Sequence, residues 1–147
     1  MTTRYRLQIP RNLYEAMLTD ALAQLPNECC GLLAGAVVDG VGVVSRRFPL
    51  VNIAPSPRIE YLSEPRSMLA AEKAMSAAGL DRLAAYHSHP SSDPIPSRKD
   101  RERNYAGVAL NLIISLKGGQ PSARVWWLVN SESFEGEWEI TDCAGGG

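Results

Sequence analysis

The sequence predicts a mixed α/β fold: one domain in which helices pack on a largely antiparallel or mixed sheet. Three observations predict it. Apolar stripes at helical spacing alternate with short runs of strand-forming residues bounded by Gly, Pro, Asn and Asp. A chain of 147 residues is long enough for one core that hides roughly 70% of its unfolded surface. No internal repeat and no long linker divides it.

Each element follows from local pattern. After Pro10, the residues Leu13, Met17, Ala21 and Leu25 recur every four positions, with Leu18 and Leu22 beside them. This is an amphipathic helix, stopped by Pro26-Asn27. CCGLLAGAVV (29–38) reads as a buried strand, Asp39-Gly40 as a tight hairpin turn, and VGVVSRRFPL (41–50) as its partner. IEYLS (59–63) is expected to form another short strand. Ser63 is placed to cap a second helix, with Pro65 in its first turn, an inner stripe of Met68, Ala71, Met75 and Ala78, and Gly79 at its end.

RLAAYH (82–87) is a strand, and Ser97 to about Asn104 a short helix. Three strands close the chain: LNLIISL (110–116), ARVWWLV (123–129) after a Gly118-Gly119 turn, and FEGEWEI (134–140). In the last, Phe134, Trp138 and Ile140 alternate with Glu135, Glu137 and Glu139, so one face is wet. Trp126 and Trp127 point to opposite faces, which puts one in the core and the other in a second packing layer or at a partner surface.

Composition narrows the function. Hydrophobic content of 45%, charged content of 21% and a net charge of −1 describe an ordinary soluble globular protein. The basic cluster Arg98, Lys99, Arg101 and Arg103 is interrupted by Asp100 and Glu102, a solvated helix face rather than a nucleic-acid footprint. No segment approaches the roughly 18 to 20 apolar residues that span a bilayer. The start, MTTRYRLQIP, lacks the apolar core of a secretion signal. Cys29, Cys30 and Cys143 are odd in number and lack the paired spacing of a disulfide framework or structural zinc site. The expected compartment is the cytoplasm. The domain is expected over residues 1–142, with 143–147 a disordered tail whose terminal glycines carry no inference.

Both histidines of the chain lie in YHSHPSSDPIPSRKD (86–100), one residue apart. Residues two apart on a strand share a face, so His87 and His89 can aim two imidazoles at one point. Imidazole nitrogen suits Zn²⁺, and a third protein ligand would leave a fourth tetrahedral position for water. Asp100, in the first turn of the helix that follows, is the best candidate; Asp93 is its main rival. Pro90, Pro94 and Pro96 restrict the intervening loop and lower the entropy cost of gathering the ligands.

Each residue also has a plain structural reading. Ser97-x-x-Asp100 has capping-box spacing, and Ser-Ser-Asp-Pro-x-Pro is ordinary turn chemistry. A thiolate of Cys29 or Cys30 activated by a histidine is a different chemistry, but cysteine in an apolar strand is usually packing. The joint pattern favours the metal.

His87-Ser88-His89-Pro90, seven residues from His89 to Ser97, and then Ser97-Arg98-Lys99-Asp100 resembles the signature of the JAMM (MPN-plus) metalloproteases. Pro26 to Gly35, PNECCGLLAG, is similar to the element that carries the family's upstream glutamate. The resemblance covers about residues 5 to 140. It implies a single JAB/MPN-like, cytidine-deaminase-like domain holding one Zn²⁺ on His87, His89 and Asp100. It further implies a zinc-bound water as nucleophile, Glu28 as general base and Ser97 as oxyanion donor. By position alone Glu60, Glu64 and Glu102 compete with Glu28, whose own support is its place at the mouth of an apolar strand.

The family cleaves peptide or isopeptide bonds after the Gly-Gly tail of ubiquitin-like proteins. A chain of little more than the core resembles small prokaryotic members acting on sulfur-carrier proteins. The expected function is therefore a zinc (iso)peptidase acting on such a carrier, with no nucleic-acid or membrane partner. The alternatives are a phage-tail or cell-wall-type peptidase, a RadC-like protein, whose motif typically has Asn where Ser88 stands, and a non-catalytic MPN scaffold.

Overall fold

The computed structural model describes residues 4–102 and 110–142. Its elements run β1 (Arg6–Pro10), α1 (Arg11–Gln24), β2 (Cys30–Val38), β3 (Val41–Leu50), α2 (Pro65–Ala77) and β4 (Asp81–His89). They continue with α3 (Arg98–Glu102), β5 (Leu110–Ser115), β6 (Ser122–Val129), β7 (Glu132–Glu135) and β8 (Trp138–Thr141). The strands form one mixed sheet in the order β7-β6-β5-β4-β2-β3-β1-β8. The β4–β5, β1–β3 and β1–β8 pairs are parallel and the others antiparallel. No helix among the described residues is long and apolar enough to cross a membrane. The expected end of α3 at Asn104, Cys143 and the glycine tail lie outside the described residues.

The two edge strands, β7 and β8, are separated by only Gly136 and Glu137, so the sheet curls until its edges approach. At the crossing, Gly136 N–H donates to the Val125 carbonyl of β6, while the Glu137 carbonyl accepts from Leu7 N–H of β1. A Cβ at Gly136 would stand 3.0 Å from Trp127 Nε1, tighter than Cβ contacts ordinarily are, so a larger residue there would push on the indole. FEGEWEI is thus two strands on opposite edges, not one. Of its alternating apolar residues Trp138 and Ile140 are half-buried on β8, but Phe134 on the β7 edge is 41% exposed. The expected dry face holds for the second strand and not for the first.

Two other expectations change, and one strand is new. Residues 59–63 form no strand: a lone bridge between Asn52 and Ser63 closes the loop from 51 to 64. The residue preceding α2 is Glu64, not Ser63, with Pro65 at the first helical position, where a missing N–H costs nothing. Arg6–Pro10 is a strand that periodicity does not single out, because five residues give too short a count.

Helix α1 buries Leu13, Met17 and Ala21; it ends at Gln24, so Leu25 falls beyond the stripe and is exposed. Helix α2 buries Ala71 and Met75, while Ala78 is its exposed C-cap ahead of Gly79 at φ +67. The hairpin turn at Asp39-Gly40 takes positive φ at both residues, as expected.

Strand alternation sorts the core to the two faces of the sheet. Leu33, Tyr86, Leu112 and Trp127 join Leu13 and Met17 of α1 on one side. Leu32, Ala34 and Ala85 join Ala71 and Met75 of α2 on the other. Trp127 is therefore the core tryptophan. The pairing of β2 with β3 shifts between Ala34 and Gly35, and a Cβ at Gly35 would overlap the Val43 carbonyl oxygen. Gly35→Ala is expected to cost about 3 kcal/mol or more, the upper range for overpacking, seen as a lower denaturant midpoint.

Candidate metal centre

His87 and His89 continue the Ala85 face of β4 at its carboxyl end, and both are buried. Strand β4 is central, between β2 and β5, with Cys30 and Ile113 opposite His87. Beyond His89 the chain loops out, and the first turn of α3 brings Asp100 back over the strand end. The three side chains converge: His87 Nε2 lies 3.2 Å from His89 Nε2 and 3.2 Å from Asp100 Oδ2, and His89 Nε2 lies 3.0 Å from Asp100 Oδ2. Among the described residues they are the one group arranged to hold a metal ion.

The donors fit such an ion. The Asp93 carbonyl can only accept, so His89 Nδ1, 2.8 Å away, donates to it. In neutral His89 this leaves a lone pair on Nε2, pointing into the cluster. Asp100 is held far below the ordinary carboxylate range: burial opposes this, but the charge of His87 and hydrogen bonds from both histidines and the Ser97 N–H outweigh it. His89 is raised despite burial, through its bonds to Asp100 and the Asp93 carbonyl. Without an ion the histidines donate to the ionised Asp100 carboxylate. A cation in place of those protons would be met by the Nε2 lone pair of neutral His89 and by that carboxylate at one point. A tetrahedral ion with bonds of about 2.0–2.1 Å has ligands about 3.3 Å apart, close to the observed triangle.

Both readings of Ser97-x-x-Asp100 hold together. Asp100 N–H donates to Ser97 Oγ at 3.1 Å, and Ser97 N–H donates to Asp100 Oδ2 at 2.9 Å. The capping box therefore fixes the carboxylate that faces the histidines. Ser97 Oγ, accepting from the backbone, retains its own proton to donate elsewhere.

Glu28 is 3% exposed and sits just before β2. Ser88, between the two histidines, binds the next residue twice: Ser88 N–H donates to the Cys29 carbonyl at 3.1 Å, and Cys29 N–H to Ser88 Oγ at 2.8 Å. Continuing the Cys30–His87 register sets Glu28 opposite His89. Its backbone is held by the Pro57 carbonyl and by Asn52 Nδ2, at 2.7 and 3.0 Å. Its Oε1 is buried without a partner. Burial pushes its carboxyl up to about 7, against the lowering effect of the nearby histidines.

The rivals are otherwise engaged. Asp93 contributes its carbonyl, and its exposed carboxylate pairs with Lys117 at 3.4 Å. Glu60 pairs with Lys99 at 3.1 Å and Glu102 with Arg98 at 2.9 Å, while Glu64 precedes α2. Cys29 and Cys30 are buried, which drives their thiols to about 11 and about 12, so thiolate chemistry has no footing.

Sequence pattern misses several supports. Tyr61 stacks on His87 with ring centroids 4.7 Å apart. Asn52 satisfies four backbone groups at 3.0–3.1 Å: the carbonyls of Glu28 and Glu60 and the N–H groups of Ala54 and Leu62. Both lie in the irregular 51–64 segment, where no periodicity signals a role. Glu60, Tyr61, Lys99 and Asp100 line a cavity of about 10 Å³, room for roughly one water.

Comparison with known proteins agrees with this geometry. The family model described as prokaryotic homologs of the JAB domain matches residues 10–129. A desampylase of Haloferax volcanii is 34% identical over 128 residues, covering 84% of this chain and 90% of its own. A probable TtuB-protein conjugate cleaving protease of Thermus thermophilus is 42% identical over 94 residues, 64% of this chain and 60% of its own. A CysO-cysteine peptidase of Mycobacterium tuberculosis is 35% identical over 98 residues, 67% and 65% of the two chains. The solution structure of a Desulfitobacterium hafniense protein superposes with a TM-score of 0.84 at 31% identity, covering 94% of each chain.

Proposed function

Since this chain belongs to the family of prokaryotic homologs of the JAB domain, we propose that it is a zinc-dependent (iso)peptidase cleaving after the C-terminal Gly-Gly of a ubiquitin-like or sulfur-carrier protein. The observation that carries the reading is the buried His87–His89–Asp100 triangle with Glu28 alongside. The relatives named for conjugate cleavage and for a carrier–cysteine bond support the substrate class.

In this reading His87, His89 and Asp100 hold the ion. Bound zinc would lower the pKa of a water toward about 7 and polarise the scissile carbonyl. Glu28 takes a proton from the attacking water on its carboxylate and returns it to the departing amine. Its elevated pKa suits both transfers near neutral pH, and its unpartnered Oε1 leaves an acceptor free for the task. Ser97 donates a hydrogen bond from its hydroxyl to the developing oxyanion, its oxygen already oriented by Asp100 N–H. A Gly-Gly tail suits the approach because it has no side chains to exclude from a narrow opening.

The test is intact-mass analysis of carrier proteins carrying a C-terminal cysteine, or a peptide joined by an isopeptide bond, beyond Gly-Gly. The expected result is a mass loss equal to the extension with the zinc-loaded chain. Extensions that survive on every carrier, with zinc bound one per chain, would remove the carrier substrate.

A further inference from the structure

The loop between β4 and α3 has few ways to anchor itself. Pro90, Pro94 and Pro96 lack N–H groups, so its carbonyls must do the holding. Three consecutive carbonyls each meet one side chain. Ser92 O accepts from Ser115 Oγ at 2.6 Å, Asp93 O from His89 Nδ1 at 2.8 Å, and Pro94 O from Trp126 Nε1 at 2.8 Å. The middle bond belongs to a ligand of the cluster. The outer two come from β5 and β6, strands that supply no residue to it.

We infer that Ser115 and Trp126 are positioning residues for His89: they clamp the peptides on either side of Asp93 so that its carbonyl stays on His89 Nδ1. That carbonyl keeps the proton on Nδ1 and the lone pair on Nε2, facing His87 and Asp100. Without the clamp the Asp93 peptide can turn, and the ring can exchange tautomers or rotate away from the cluster. Proline restricts φ in this loop, and the Ile95 N–H closes a tight turn on the Asp93 carbonyl at 2.8 Å. The side chains on the two flanking carbonyls fix how that turn sits against His89.

The clamp is built rather than incidental. Ser115 is buried, and its oxygen also accepts Lys117 N–H at 3.2 Å. Leu116 N–H donates to the His89 carbonyl at 3.1 Å, tying the end of β5 to the same turn. The half-buried Trp126 ring lies 4.6 Å from the Arg124 guanidinium, which is bound through two nitrogens to Glu135 at 2.8 and 2.7 Å. The indole is thereby oriented with its N–H toward the loop. This accounts for the tryptophan that the core does not use.

The inference rests on the metal reading of the cluster and not on peptidase activity, so its test reads metal and tautomer. Zinc affinity is measured by competition with a chromophoric chelator for the wild type, Trp126→Phe and Ser115→Ala. Imidazole ¹⁵N spectra of the metal-free proteins at alkaline pH, where His89 is neutral despite its raised pKa, report its tautomer, with only two histidines to assign. Each variant is expected to lose roughly tenfold or more in zinc affinity, as for other supports of metal-bound histidine. The His89 signals are expected to move from one tautomer toward a mixture, with the thermal midpoint of the metal-free chain little changed for Trp126→Phe. Affinity within about twofold of wild type, or an unaltered His89 tautomer in Trp126→Phe, would overturn it. Trp126→Phe keeps the ring and carries the test if Ser115→Ala does not fold. The tautomer readout stands even for a chain that takes up no zinc.

Discussion

His87→Ala is expected to abolish zinc binding and all turnover together. The substitution leaves two donors where the fold gathers three, and no other described residue stands ready to replace the lost nitrogen. Wild type should purify with, or take up, one zinc per chain, lose activity to a chelator and regain it with added zinc. Because the ion binds the folded chain, it should also raise the thermal midpoint: binding at a hundred times Kd is worth about 2.7 kcal/mol. His87→Ala should show no zinc-dependent rise. Its ring is fully buried and stacked on Tyr61, so some intrinsic stability will be lost as well. Asp100→Asn separates the two effects, since it preserves shape while weakening the carboxylate ligand. A His87→Ala chain that still binds zinc one-to-one would end the metal assignment.

Glu28→Gln is expected to keep the ion and lose the reaction. The amide has nearly the shape of the carboxyl, and the backbone bonds to Pro57 and Asn52 remain. It can accept no proton from water, and loss of a general base commonly costs about 10²–10⁴ in rate. Zinc content should stay at one per chain, with kcat falling far more than KM changes. Stability should move the opposite way. In the metal-free chain the Glu28 carboxyl is raised by burial from its ordinary value to about 7. The folded state therefore holds a proton that the unfolded chain releases between the ordinary carboxylate range and pH 7. Across that window the group's destabilising contribution grows with pH, and above it the contribution is full. Glu28→Gln removes it, so at pH 8 the metal-free variant should unfold no earlier than wild type. A variant of full activity, or one that loses zinc with its activity, would refute the base assignment.

The two predictions differ in how far sequence anticipates them. The histidines, Ser97 and Asp100 are legible because one strand period and one helical turn bring them together, and both are local geometry. Glu28 is harder to find: it lies 59 positions before His87, and its nearness follows from the β2–β4 register. A carboxylate at a helix–strand junction is otherwise ordinary. Asn52 and Tyr61 give no signal, since an irregular loop has no period against which a residue can stand out. Trp126 announces itself only as the residue facing away from Trp127; its target, Pro94, is 32 positions away.

Strand alternation, helical stripes and the Pro, Gly and Asn breaks were enough for the mixed α/β class, most element positions and the nearness of His87, His89 and Asp100. These depend on interactions within a few residues, where backbone geometry leaves few choices. The curl that puts FEGEWEI on two edges, the loop that covers Glu28 and the clamp on Asp93 arose only when distant segments packed. Pairing between strands and capture of a carbonyl by a remote side chain are set by which surfaces meet, and periodicity along a single segment carries no record of its partner.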